Sequence, residues 1–154
     1  MTVKVSIERA APRILAAVRR RVHLGEVAAA FRPASDAVWA FLRKHPGLRE
    51  DGHNVFLYHH PADGRDGLMD VDFGVEVVRA FEPEGDVRCV ATPAGEFAVA
   101  THIGPYGQLR ATHDAVHAWA RANHRAIGAQ SFEVYGDWSD DPAKLETRVW
   151  YVLD

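Results

Sequence analysis

Glu133 and Tyr135, two residues apart in "QSFEVYGDW", are the pair in this sequence best suited to chemistry on a ligand. The stretch alternates as a strand does, so Phe132 and Val134 take one face while Glu133 and Tyr135 take the other. The plain reading is a solvent-facing glutamate on a half-exposed sheet. The sharper one puts the carboxylate at the base of an aromatic-walled cleft, in a chain with four Trp and four Tyr. Ring faces attract positive charge and a carboxylate neutralises it, which suits an organic cation. Burying the carboxylate unpaired costs several kcal/mol, so an empty pocket would leave Glu133 hydrated or raise its pKa. A bound cation would lower it again.

Other chemistry-bearing groups are weaker. His113 and His117 stand i, i+4 in "HDAVH", a zinc-helix spacing, but the glutamate of H-E-x-x-H is missing. The helical pattern buries Leu109, Thr112, Val116, Trp119 and Ala120, which leaves His113, His117, Arg121 and His124 on a wetter flanking stripe. His59 and His60 are adjacent on a strand and point to opposite faces. Cys89 sits alone in a strand pattern and reads as core. No Gly-rich phosphate loop and no G-x-S-x-G elbow is present. The expectation is no metal and no cofactor.

The elements that must position these residues come in a repeating order. "VKVSIERA" and "RILAAVRRRV" read as strands around Pro12, although the second is also helix-tolerant. A helix follows, broken at Pro33 and capped by Ser35 or Asp36, with Val38, Trp39, Phe41 and Leu42 on it and Pro46-Gly47 at its end. Strands "NVFLYHH" and "MDVDFGVEVVRAF" flank a polar loop at 61–67. After "EPEGD" (82–86) the order restarts: strand "VRCVAT", a turn at Pro93-Ala94-Gly95, hairpin partner "EFAVATHI", a helix entered through "GPYGQLR", then "QSFEVYGDW" and "LETRVWYVL". "AVWAFLRKH" answers "AVHAWARAN", "NVFLYHH" answers "SFEVYGD", and "DVDFGVEV" answers "ETRVWYVL". The sequence thus predicts an α+β fold of two pseudo-symmetric β-β-α-β-β repeats, about 3–82 and about 86–153, in one domain spanning 1–154. The repeats pack about a pseudo-twofold axis with a ligand cleft between them.

Composition narrows the function classes. With 154 residues, 47% hydrophobic and 25% charged, the chain has the balance of an ordinary globular domain. The net charge is −3, and Arg19-Arg20-Arg21 is too small a basic cluster for a nucleic-acid footprint. One cysteine permits no internal disulfide, which fits a reducing compartment. No N-terminal apolar leader pattern and no run of about 18 apolar residues is present, so a cytoplasmic protein without membrane partners is expected.

"PAGEFAVATHIGPYGQLRATHDAVHAWA" followed by "SFEVYGDWSDDPAKLETRVWYVL" resembles the GyrI-like small-molecule-binding domains, also found as effector-binding domains of AraC- and MerR-type multidrug regulators. The matching pieces are His-x-Gly-x-Tyr before a helix, Glu-x-Tyr, an Asp-Pro turn and a Thr-bearing last strand. The resemblance implies two SH2-like repeats and a pocket for varied hydrophobic, often cationic, compounds. It implies Glu133 as the pocket glutamate, Tyr106 as the aromatic after the glycine turn, and Trp150 as a further pocket aromatic. By pseudo-symmetry Trp39, Phe56 and Tyr58 join them. Arg148 departs from the pattern, standing where family members often have an acid. Facing the pocket it would pair with Glu133 and discourage cations. The sequence has no helix-turn-helix segment and so resembles the stand-alone members.

Three function classes follow. One is capture of hydrophobic, aromatic or cationic compounds, as in drug or toxin resistance. A second is hydrolysis of reactive cyclopropanoid-type electrophiles, with Glu133 as general acid or base and Tyr106 or Tyr135 donating a hydrogen bond. The third is a protein-partner role, such as inhibition of a DNA topoisomerase.

Overall fold

Strand and helix periodicities alternate twice along the chain, and the computed structural model, which describes residues 3–60 and 67–154, follows them. The first set is β1 (Val5–Ala10), β2 (Ile14–His23), α1 (Val27–Lys44), β3 (Asn54–His59) and β4 (Leu68–Val77). The second is β5 (Val87–Ala91), β6 (Gly95–Ile103), α2 (Leu109–Ala122), β7 (Ile127–Tyr135) and β8 (Glu146–Leu153). The strands form one antiparallel sheet in the order β1-β6-β8-β7-β3-β4-β2-β5. The polar loop read at 61–67 lies, except for Gly67, outside the described residues.

That order corrects the expected hairpin of β5 with β6. Each first strand instead crosses to the other set: β1 pairs with β6, and β5 pairs with β2. The connections Ala11-Pro12-Arg13 and Thr92-Pro93-Ala94 explain it. Two-residue hairpin turns need left-handed backbone, which proline, locked at negative φ, cannot supply. The connectors run side by side instead. The Arg13 amide donates to the Thr92 hydroxyl at 2.8 Å, and the Thr92 amide donates to the Arg13 carbonyl at 3.0 Å. Each set therefore completes the other's sheet.

Pro33 does not break α1, and neither Ser35 nor Asp36 caps it. The missing Pro33 amide frees only the Ala29 carbonyl, and both residues are exposed, so that carbonyl is not sealed from solvent. The helix starts at Val27 after a tight turn at Leu24–Glu26, where Glu26 accepts from the His23 amide at 2.8 Å. Ala34, Val38, Phe41 and Leu42 form its buried stripe. Leu109, Thr112, Val116 and Ala120 do the same for α2.

Both helices cover one face of the sheet. α1 packs on β2 and β4 with Val18, Val71 and Phe73, while α2 packs on β6 and β8 with Ala98, Val149 and Tyr151. On the other face Leu15, Val55, Leu57, Phe97, Phe132 and Trp150 form a third core with no helix over it. The sheet closes that core by curling. The Arg13 guanidinium, just before β2, reaches the rings of Phe132 and Trp150 on β7 and β8 at 6.0 and 5.4 Å. The arginine triplet is held by acids, Arg19 on Asp72 and Arg21 on Asp70 of β4, and Arg20 on Asp86 in the turn before β5.

Candidate functional site

The middle of the sheet is where the two sets meet, and there β3 runs against β7 with Phe56 opposite Glu133 and Tyr58 opposite Ser131. The even residues of β3 and the odd residues of β7 face the helices. The helices flank this pair without covering it, leaving a cleft of about 1250 Å³. Phe56, Tyr58, Ser131, Glu133, Tyr135 and Tyr151 of the sheet line it, Phe31 comes from α1, and Leu109, His113 and His117 come from α2. Tyr106, Leu24 and Trp138 stand around it, and Leu24 and Trp138 are largely exposed at 70% and 73%.

Glu133 lies on this floor only 4% exposed. A carboxylate so placed needs donors, and it has three. The hydroxyls of Tyr58 and Tyr135 both donate to Oε1, at 2.7 and 2.6 Å. His113 Nε2 donates to Oε2 at 2.7 Å. The two tyrosines flank the Phe56–Glu133 pair from the two strands, as the approximate symmetry of the repeats demands. Burial alone would push the Glu133 carboxyl up. The bond and charge of His113, with the two tyrosine bonds, outweigh burial and hold it below the ordinary carboxylate range. Burial and the Glu133 charge push the Tyr58 and Tyr135 hydroxyls well up, so both stay protonated donors.

A polar line continues from His113. Its Nδ1 is 2.6 Å from the Tyr151 hydroxyl, and Ser131 lies 2.7 Å from His60 Nε2. Burial, followed by the fields of neighbouring histidines, lowers the His60 pKa, and burial with His113 and Arg121 does the same for His117. Both imidazoles are thereby biased to the neutral form. Among the described residues, no three of His, Cys, Asp or Glu are arranged to hold a metal ion.

Tyr106 reaches the cleft through the turn at Gly104-Pro105. Gly104 has φ 131°, open to glycine alone, and its amide donates to the Leu145 carbonyl at 2.8 Å. His102 sits beneath, bridging Thr112 Oγ1 and the Pro105 carbonyl, both at 2.9 Å. A tight turn at Tyr106–Gln108 then leads into α2. The Tyr106 ring meets Tyr135 edge-on at 5.3 Å.

The structure thus brings Glu133, Tyr106, Tyr135, Phe56 and Tyr58 together, and excludes three other expected residues. Trp150 faces the opposite core, stacked on Phe132 at 5.4 Å. Arg148 is on that side too, ion-paired with Glu8 and 4.9 Å over the Trp150 ring, so it does not meet Glu133. Trp39 packs under the Arg49 guanidinium at 4.9 Å. It lies eight residues beyond Phe31, about 12 Å further along the helix. Sequence reasoning missed His113, Tyr151, Ser131, His60 and Phe31. For His113 the signal was present, since the stripe beside a helix's buried face is the one that borders a cleft. Tyr151 follows from register: Glu133 pairs with Val149 and Ser131 with Tyr151, so Tyr151 and not Trp150 shares the Glu133 face.

Comparison with known proteins agrees with this geometry. The EcmrR C-terminal domain superposes at a TM-score of 0.82 with 21% identity, covering 100% of this chain and 99% of that one. EcmrR in its DNA complex matches over 58% of its own length, at 21% identity and a TM-score of 0.83. SAV2435 bound to tetraphenylphosphonium matches at 0.74 with 14% identity over 98% and 94% of the chains. A hydrolase from Listeria innocua matches at 0.67 with 13% identity over 99% and 93%. At these identities the likeness is one of fold. No curated protein matches the chain in sequence. No helix among the described residues is long and apolar enough to cross a membrane. The family model described as "GyrI-like small molecule binding domain" matches residues 3–153, and the chain belongs to that family.

Proposed function

We propose that the cleft captures hydrophobic aromatic monocations, with Glu133 as the counter-charge and the rings of Phe56, Tyr58, Tyr106 and Tyr135 as walls. One observation carries this reading: a nearly buried carboxylate kept ionised on the floor of an aromatic cleft. Ring faces and a fixed negative charge favour a flat or propeller-shaped cation, and desolvation strengthens both attractions. Most of the exposed lining is apolar, which suits a family of ligands rather than one. The tetraphenylphosphonium bound by SAV2435, a protein of the same fold, is a compound of this kind.

Turnover of a reactive ligand is the second reading, supported by the Glu133–His113 contact, which can move a proton. Three hydrogen bonds to Glu133 lower its basicity, however, and this favours capture over general-base chemistry.

The test is a titration with tetraphenylphosphonium followed by the fluorescence of Trp138, the tryptophan that lines the cleft. The wild type gives a saturable change, Glu133→Gln weakens binding at least tenfold, about 1.4 kcal/mol, and Trp138→Phe removes most of the signal. Equal affinity of wild type and Glu133→Gln refutes the role of the carboxylate. Time-dependent loss of the ligand would favour turnover.

A further inference from the structure

A cation entering the cleft meets a Glu133–His113 pair rather than a bare carboxylate. Three of the four lone-pair positions of Glu133 are already taken, two on Oε1 by tyrosines and one on Oε2 by His113. A carboxylate only accepts, so His113 Nε2 carries a hydrogen in either protonation state of the ring. The Tyr151 hydroxyl, 2.6 Å from Nδ1, fits both states as well. It donates to a bare nitrogen and accepts from a protonated one. The site therefore holds His113 neutral or charged with the heavy atoms in place, and the pair bears a net charge of −1 or zero accordingly.

We propose that His113 is the specificity-determining residue that sets which ligand charge the cleft accepts. With its imidazole neutral the floor is an anion and takes monocations. With the imidazole protonated the floor is neutral, and the charge that attracted a cation is cancelled from within. The inference rests on the cation-capture reading above and adds its control.

The surrounding groups leave His113 in this role. Tyr58 on β3, His60 just after that strand, Tyr135 on β7 and Tyr151 on β8 face it. The three tyrosine hydroxyls are pushed up by burial and by the Glu133 charge. On its own helix Arg110 and Asp114, opposite in sign, and His117 line the same wall. The lining residues of α1 (Val27, Ala28 and Phe31) are uncharged, as is Tyr106 with its hydroxyl pushed up by burial. Of the imidazoles in the cleft, His113 is the one bonded to the carboxylate.

The experiment is calorimetry of tetraphenylphosphonium binding at pH 8 and pH 5.5, in buffers of different ionisation enthalpy. One added charge at contact range in a partly buried site weakens cation binding about 10- to 100-fold. The wild type binds the cation more weakly at pH 5.5 than at pH 8, by up to that factor, and releases a fraction of a proton with the cation, at most about 0.5 for a tenfold coupling and about 0.8 for a hundredfold one, a result that needs no variant. His113→Gln, whose amide can still donate to Glu133, is compared with itself at the two pH values, and its affinity changes between pH 8 and pH 5.5 by less than threefold whatever its absolute affinity. The shorter His113→Asn behaves in the same way. Triphenylmethanol, uncharged at both pH values, binds equally well at both. An unchanged pH dependence in both variants, a flat wild-type profile, or equal weakening of triphenylmethanol overturns the inference while cation capture stands. Absence of cation binding at either pH overturns the capture reading and this inference with it.

Discussion

Replacing Tyr58 by Phe removes one hydroxyl from Glu133 and leaves the ring to pack as before. Oε1 then keeps only the Tyr135 bond at 2.6 Å, and Oε2 keeps His113 at 2.7 Å. A hydrogen bond to a charged group contributes about 1.5–3 kcal/mol, and the site is buried, so a loss of about 2 kcal/mol at pH 7 is expected. Because the bond favours the ionised form over the neutral one, its loss also moves the Glu133 pKa up. Glu133 is held below its unfolded value, so its contribution is full above the ordinary carboxylate range and is lost as pH falls through the folded value. Below that point both proteins hold a neutral acid, and the tyrosine bond contributes about 1 kcal/mol. Urea unfolding of wild type and Tyr58→Phe, from pH 7 down to the lowest pH at which both are folded, measures this. A gap that narrows by about half on acidification is the expected result. A gap below about 0.5 kcal/mol at pH 7, or one that does not change with pH, refutes the claim that Tyr58 stabilises an ionised Glu133.

Two further substitutions probe the rest of the structure. Thr147 is fully buried, and its hydroxyl has no hydrogen-bond partner among the described residues. Thr147→Val keeps the shape and removes that penalty, so the unfolding midpoint should rise by the equivalent of about 1 kcal/mol; destabilisation would show that the hydroxyl has a partner. Arg148→Ala should leave tetraphenylphosphonium affinity within twofold, because Arg148 pairs with Glu8 on the other face of the sheet. A marked gain in cation affinity would place its charge in the cleft.

The repeat was legible in the sequence because three segments recur in order at nearly constant offset, and periodicity names each element. Pairing was not legible. Alternation assigns Glu133 and Tyr135 to one face but cannot register β7 against β8, and a one-residue difference exchanges Tyr151 for Trp150. The exchange of β1 and β5 was hidden for a similar reason. Proline connectors rule against a tight hairpin, but the partner strand lies in the other repeat, far away in sequence. Pro33 misled because its cost depends on whether the freed carbonyl meets water, which is a property of the packed helix. A helix alone does not say which of its flanks borders the second repeat, so the sequence places His113 on a stripe that looks solvated.

The most direct measurement is the carboxyl carbon resonance of Glu133, titrated with pH with and without tetraphenylphosphonium. The account predicts a carboxyl that stays ionised below the ordinary carboxylate range in the free protein, and a resonance that shifts on addition of the cation. A carboxyl that protonates above pH 5 in the free protein, or a resonance the cation leaves unmoved, would contradict the claim that an ionised Glu133 is the counter-charge in this cleft.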